Sequence, residues 1–108
     1  MFKKNNRLNR SEFEGFFNTG LRKHSQNLQL IYSPQSELKV AVVVPKKIIK
    51  TAVGRNKLRR QLYHQLKKIL SQKTGVYICI VKKSIIEADT DTIFQELKNL
   101  VGVIDKSR

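Results

Sequence analysis

Two runs of consecutive apolar residues, 40–44 and 76–81, constrain this chain more than any other feature. Both are rich in β-branched residues at successive positions, so both faces of each strand must be covered, as in a layered α/β structure. About thirty residues separate the runs, and these carry a helical period: Leu58, Leu62, Leu66, Ile69 and Leu70 form one stripe across 51–70. A helical connection of this length between two doubly buried strands implies that they run parallel in one sheet, because antiparallel neighbours need only a tight turn. The run 40–44 reads as a central strand stopped by Pro45, and Gly75 closes the helical segment before the second run.

The remaining elements follow from local signals. Ser11-x-x-Glu14 is a capping box that opens a first helix ending at Gly20, with Phe13, Phe16 and Phe17 on one face. Leu28, Leu30 and Tyr32 alternate with Gln29 and Ile31 as a strand would, a short strand over 21–25 can precede it, and residues 34–37 turn the chain. A last helix is predicted over 91–101 with Ile93, Phe94, Leu97, Leu100 and Val101 inward, preceded by Glu87, Asp89 and Asp91 as N-terminal caps. The expected fold class is therefore α/β: a small two-layer α/β sandwich, order α-β-β-β-α-β-α, with a mixed sheet. At 108 residues and 40% apolar, residues 1–108 are expected to form one small domain with a single core, which excludes multidomain enzyme architectures.

Charge narrows the function. Lys and Arg number 22 against 8 Asp and Glu, a formal charge of +14. No acid lies between Glu37 and Glu87, while residues 38–86 hold thirteen Lys and Arg. Solvated protein surfaces interleave both signs because like charges repel, so an acid-free block of this length points to a bound polyanion. The single cysteine, Cys79, sits in an apolar run and reads as a buried structural thiol. Neither apolar run approaches the ~20 residues of a spanning helix, and no apolar segment follows the basic Lys3, Lys4, Arg7 and Arg10, so a reducing cytoplasm, without membrane or export, is the expectation.

At about 100° per residue, Asn56, Lys57, Arg60, His64, Lys67 and Lys68 fall opposite the Leu stripe of the middle helix, a ladder suited to phosphates. Arg55 and Arg59 share the meridian of Leu62 and Leu66, where a buried cation would be costly. Either their stems snorkel over the core, or the first turns overhang the sheet and present planar guanidinium groups to phosphates; Lys46 and Lys47 just upstream favour the second.

These residues also resemble a known family. Lys46-Lys47 followed by Ala52-x-x-Arg55-Asn56-Lys57-Leu58-x-Arg60 looks like the signature of the bacterial ribonuclease P protein subunit, whose pattern is a Lys-Lys pair followed by Ala-x-x-Arg-Asn-Arg and an apolar residue. Phe13 and Phe17 fall at the two aromatics of that family's first helix, Gly20 at its turn glycine, and Val81-Lys82-Lys83 at its basic strand exit, so the likeness spans nearly the whole chain. Lys57 stands in place of the second Arg of the motif, keeping charge while losing the bidentate fork, and Pro45 in place of a small polar residue.

The resemblance implies a ribonucleoprotein enzyme whose catalytic RNA subunit, with Mg²⁺, cuts the 5′ leader from precursor tRNA; no catalytic residue and no metal site are then expected on the protein, and no cofactor is bound by the protein alone. It implies that Lys46, Lys47, Arg55, Asn56, Lys57, Arg59, Arg60, Lys82 and Lys83 face RNA, and that a cleft between the first helix and the sheet holds the leader, lined by Phe13, Phe17 and Ile31. It also implies a left-handed β-α-β crossover. Spacing alone reads all three phenylalanines as core packing; the resemblance moves Phe13 and Phe17 to the cleft and leaves Phe16 in the core. A gapless count from Phe17 puts Gln29 and Ile31 on the cleft side, whereas a one-residue slip would bring Tyr32 there instead.

Other readings have less support. A protein nuclease needs a carboxylate cluster or a base, and Glu87, Asp89 and Asp91 are accounted for as caps, while His24 and His64 lie apart with no partner at ligand spacing. A structural RNA-binding protein of the ribosome would share charge and fold, leaving the Arg55-Asn56 motif and the aromatic helix to discriminate. A DNA partner has no helix-turn-helix or dimer seam to support it.

Overall fold

The computed structural model describes residues 8–107, so Lys3, Lys4 and Arg7 lie outside it. Along the chain run α1 (Arg10–Thr19), β1 (Leu21–His24), β2 (Leu28–Ser33), β3 (Leu38–Val43), α2 (Ala52–Ile69), β4 (Gly75–Val81), a 3-10 turn (Lys83–Glu87) and α3 (Thr90–Ser107). This is the α/β order expected from the sequence. The strands form one mixed sheet, β1-β2-β4-β3, in which β3 and β4 pair in parallel with α2 between them, and the other two pairings are antiparallel.

The position of β3 differs from expectation. It lies at the sheet edge, paired only with β4. Successive apolar residues report that both faces are covered and carry no information about lateral neighbours. Its exposed edge is blunted from α2, where the Tyr63 hydroxyl accepts the Val42 N–H at 3.3 Å.

Helix ends depart from local prediction for identifiable reasons. Asn9, not Ser11, caps α1: its side chain accepts the Glu12 N–H at 2.8 Å, and Glu12 Oε1 accepts the Asn9 N–H at 3.1 Å. The other Glu12 oxygen takes a 2.6 Å ion pair from Lys39 Nζ on β3, fastening the helix to the sheet. Asp89 caps α3 through the Thr92 N–H at 2.7 Å, and the helix continues well past residue 101 because Ile104 extends its buried stripe.

The sheet divides the apolar residues by parity. Leu28, Leu30 and Tyr32, Val40 and Val42, and Tyr77, Cys79 and Val81 pack against α2 and α3 in the main core. Leu62, Leu66 and Leu97 there are wholly out of water, each worth about 1.5–3 kcal/mol. Burial pushes the Cys79 thiol up to about 12, consistent with an inert structural role. Ile31, Val76 and Ile78 face the opposite side, where α1 lays Phe13, Phe16 and Phe17 over them. No α1 residue is fully buried; Phe16, like Phe13 and Phe17, is partly buried and packs against this second cluster, so burial does not set it apart from the other two.

Two glycines are fixed by geometry. Gly75 enters β4 at φ +112°, a region side chains avoid, and a Cβ there would come within 2.6 Å of the Tyr32 ring. Gly20 lets α1 turn into β1 directly against Ile31 and the Tyr32 carbonyl.

Candidate nucleic-acid interface

Helix α2 starts from Thr51, whose side chain accepts the Gly54 N–H at 3.1 Å, and has no acid in its first turn. Cations near that end oppose the helix dipole, an arrangement that an external anion relieves. Asn56, Lys57, Arg60, His64, Lys67 and Lys68 are all exposed along one flank, and Lys46, Lys47 and Lys50 are exposed on the loop before it. The two meridian arginines behave differently. Both are half-buried: Arg55 Nη1 donates to the Ile49 and Lys50 carbonyls at 3.0 and 2.9 Å, clamping the 45–50 loop to the helix, and Arg59 donates to the Asn56 side chain. Arg55 thus spends part of its fork on backbone carbonyls that the loop leaves without partners.

A second basic group stands at the carboxyl ends of the parallel strands. Lys47, Lys82 and Lys83 join Gln29, Pro45 and Ile80 around a cavity of about 560 Å³, the position where open α/β sheets bind ligands. Lys82 is held by its Nζ donating to the Ser25 carbonyl at 2.8 Å. That turn is in turn tied to α3, because Glu96 accepts from the Ser25 hydroxyl at 2.5 Å, from the Asn27 N–H at 2.9 Å and from the Asn27 amide. Burial pushes the Glu96 carboxyl up, but these hydrogen bonds and the Lys82 charge outweigh it and leave its pKa below the ordinary 4.5. The stabilisation is therefore complete above about 4.5 and is lost as pH falls through the lower folded value. Glu96→Gln is expected to cost about 1 kcal/mol at neutral pH, screened by partial exposure, and to flatten the acid limb of a stability-versus-pH curve measured by urea unfolding.

The aromatic pair lies on the other half of the sheet. Phe13 and Phe17 stack with centroids 5.6 Å apart, and the Arg22 guanidinium sits 4.5 Å over the Phe17 ring while donating to the Phe17 carbonyl at 2.5 Å. The gapless count put Ile31 on the correct face, yet Ile31 is only 1% exposed and cannot line an open cleft. Its burial follows from α1 lying directly across it. Gln29, Ala41, Val43 and Ile80 on the same face are left partly open. Tyr32 lies in the main core, opposite the Tyr77 ring at 5.0 Å.

A sequence model described as Ribonuclease P matches residues 2–105 of the chain. The chain belongs to the ribonuclease P protein family. It is similar to the ribonuclease P protein component of Microcystis aeruginosa, 29% identical over 100 residues covering 85% of this chain and 83% of that one, and to that of a Picosynechococcus species, 30% identical over 94 residues covering 83% and 81%. Among solved structures, the Staphylococcus aureus RNase P protein superposes with a TM-score of 0.81 at 17% identity, covering 92% of this chain and 94% of that one. The Thermotoga maritima RNase P protein gives 0.76 at 22%, covering 87% and 93%. These structures share the fold.

For a ribonuclease P protein the dispersal of carboxylates matters. Glu12 pairs with Lys39, Asp105 pairs with Lys73 at 2.5 Å, Glu96 ties down the hairpin and Asp89 caps a helix. Among the described residues no group of three His, Cys, Asp or Glu side chains comes together. Sequence reasoning missed Arg22, Ser25, Asn27 and Glu96. The Glu96 contacts join residues about seventy positions apart, which no local period signals.

Proposed function

We propose that this chain is the protein subunit of ribonuclease P. It binds the catalytic RNA through the exposed flank of α2 and the loop before it, and it holds the 5′ leader of precursor tRNA on the α1 face of the sheet. The observation that carries this is the family motif standing on an exposed, acid-free helix start that is continuous, through Lys47, with the Lys82–Lys83 strand exit. The leader's bases would stack at Phe13 and Phe17, and its phosphates would track past Gln29 and Ile80 toward Lys47, Lys82 and Lys83. Hydrolysis and its Mg²⁺ are assigned to the RNA; Glu12, Glu14, Asp89, Glu96 and Asp105 are engaged in ion pairs, caps or hairpin contacts.

Single-turnover cleavage of a precursor tRNA by the cognate RNA at low Mg²⁺, with and without the protein, tests the reading. The expected result is faster, tighter-binding cleavage with protein present, and none with protein alone. An unchanged rate would mark a structural RNA-binding protein without a role in cleavage. Cutting at the mature 5′ end by RNA-free protein would overturn the assignment of catalysis to RNA.

A further inference from the structure

We infer that an apolar recess at the start of α2 receives an unstacked nucleobase of the RNA partner, a subsite apart from the leader face. The inference rests on the RNA-binding reading above. The recess has a volume of about 440 Å³ and is lined by Ile48 and Ile49 of the loop, Leu58 of α2, and Ile85 and Ile86 of the 3-10 turn. That size falls within the ~300–1,000 Å³ of small-ligand sites. Ile86 is 60% exposed, and Val53, on the adjoining first turn of α2, is 80% exposed. Gly54 lets the loop lie against the helix, since a Cβ there would meet Ile49 Cγ2 and Thr51 Oγ1 at 2.8 Å. Large aliphatic side chains exposed beside a strongly cationic helix call for an occupant that is apolar at its centre and anionic at its border.

Charge selects among occupants. Lys57 is the ionised group in the lining, and the loop that forms one wall also presents Lys46, Lys47 and Lys50; the carboxylate nearest in sequence, Glu87, ends the 3-10 turn. A second copy of this +14 chain would bring the same cations face to face, so self-association here is opposed. A nucleotide meets both demands: its ring fills the aliphatic recess and its phosphate meets Lys57. Gln61, also in the lining, offers an amide NH₂ with two donors and a carbonyl acceptor to a base edge. The recess adjoins Asn56 and Arg60 on the same helix, so a base drawn out of the RNA bound there can reach it without a second docking event.

Equilibrium binding of the full chain to its RNA subunit, measured across a salt series, separates this subsite from the phosphate contacts. Ile86→Ser, at an exposed position that leaves the core intact, is expected to weaken binding about tenfold at every salt concentration without changing the salt slope. Arg60→Ala should reduce the slope by about one, and Val103→Ser, an exposed apolar position on α3, should change neither. Benzoylphenylalanine incorporated in place of Ile86 should photo-crosslink to the RNA subunit. Wild-type affinity in Ile86→Ser, or a crosslink formed only to a second copy or to an acidic peptide partner, would overturn the subsite. If Arg60→Ala also leaves affinity and slope unchanged, it is the RNA-binding reading that fails.

Discussion

Raising monovalent salt from ~50 to ~200 mM is expected to weaken binding of this protein to its RNA by on the order of 10³ to 10⁵. The acid-free block supplies the cations, and the fold decides which of them are left for phosphates. Lys39 and Lys73 are spent on Glu12 and Asp105, Lys82 on the Ser25 carbonyl, and Arg55 partly on loop carbonyls. Lys46, Lys47, Lys50, Lys57, Arg60, Lys68 and Lys83 remain exposed. Roughly six to ten phosphate contacts are thus available, each releasing a counterion. Filter binding over a salt series reads the slope directly, and a nearly flat dependence would mean that apolar or base-specific contacts dominate.

Phe17→Ala is expected to weaken binding of leader-bearing precursor tRNA to the holoenzyme by about 5- to 150-fold while leaving mature tRNA unaffected, the loss of one stacked base. A wholly buried phenylalanine would instead cost the protein about 3–5 kcal/mol of stability. Phe17 is only partly buried, on a helix with no fully buried residue, so its removal should lower stability by about 1–2 kcal/mol. Arg22 now covers the Phe17 ring, and a base that stacks there would displace that guanidinium toward the leader phosphates. Measuring the melting temperature beside both tRNA affinities decides the matter. Equal loss of both tRNA forms, or a melting temperature lowered as for a core deletion, would show that the aromatic pair serves packing alone.

Sequence by itself determined the class of fold, the parallel pairing of the two apolar runs, the exposed flank of α2 and the family. Each of these rests on a signal that is local or periodic: doubly apolar runs, a helical stripe, a contiguous motif, an absence of acid. Only the tertiary structure decided that β3 lies at the sheet edge, because face coverage and lateral pairing are independent properties and the sequence records only the first. The start of α1 was decided the same way, since Glu12 completes a cap with Asn9 and an ion pair with Lys39, twenty-seven residues on. The alternation of β2 gave the face of Ile31 but not its closure, which depends on where α1 crosses the sheet. Arg55 and Glu96 mark the limit most clearly. A charged side chain's pattern in sequence says what it could bind, whereas the partners it keeps in the folded chain are set by which unsatisfied backbone groups the fold brings within reach.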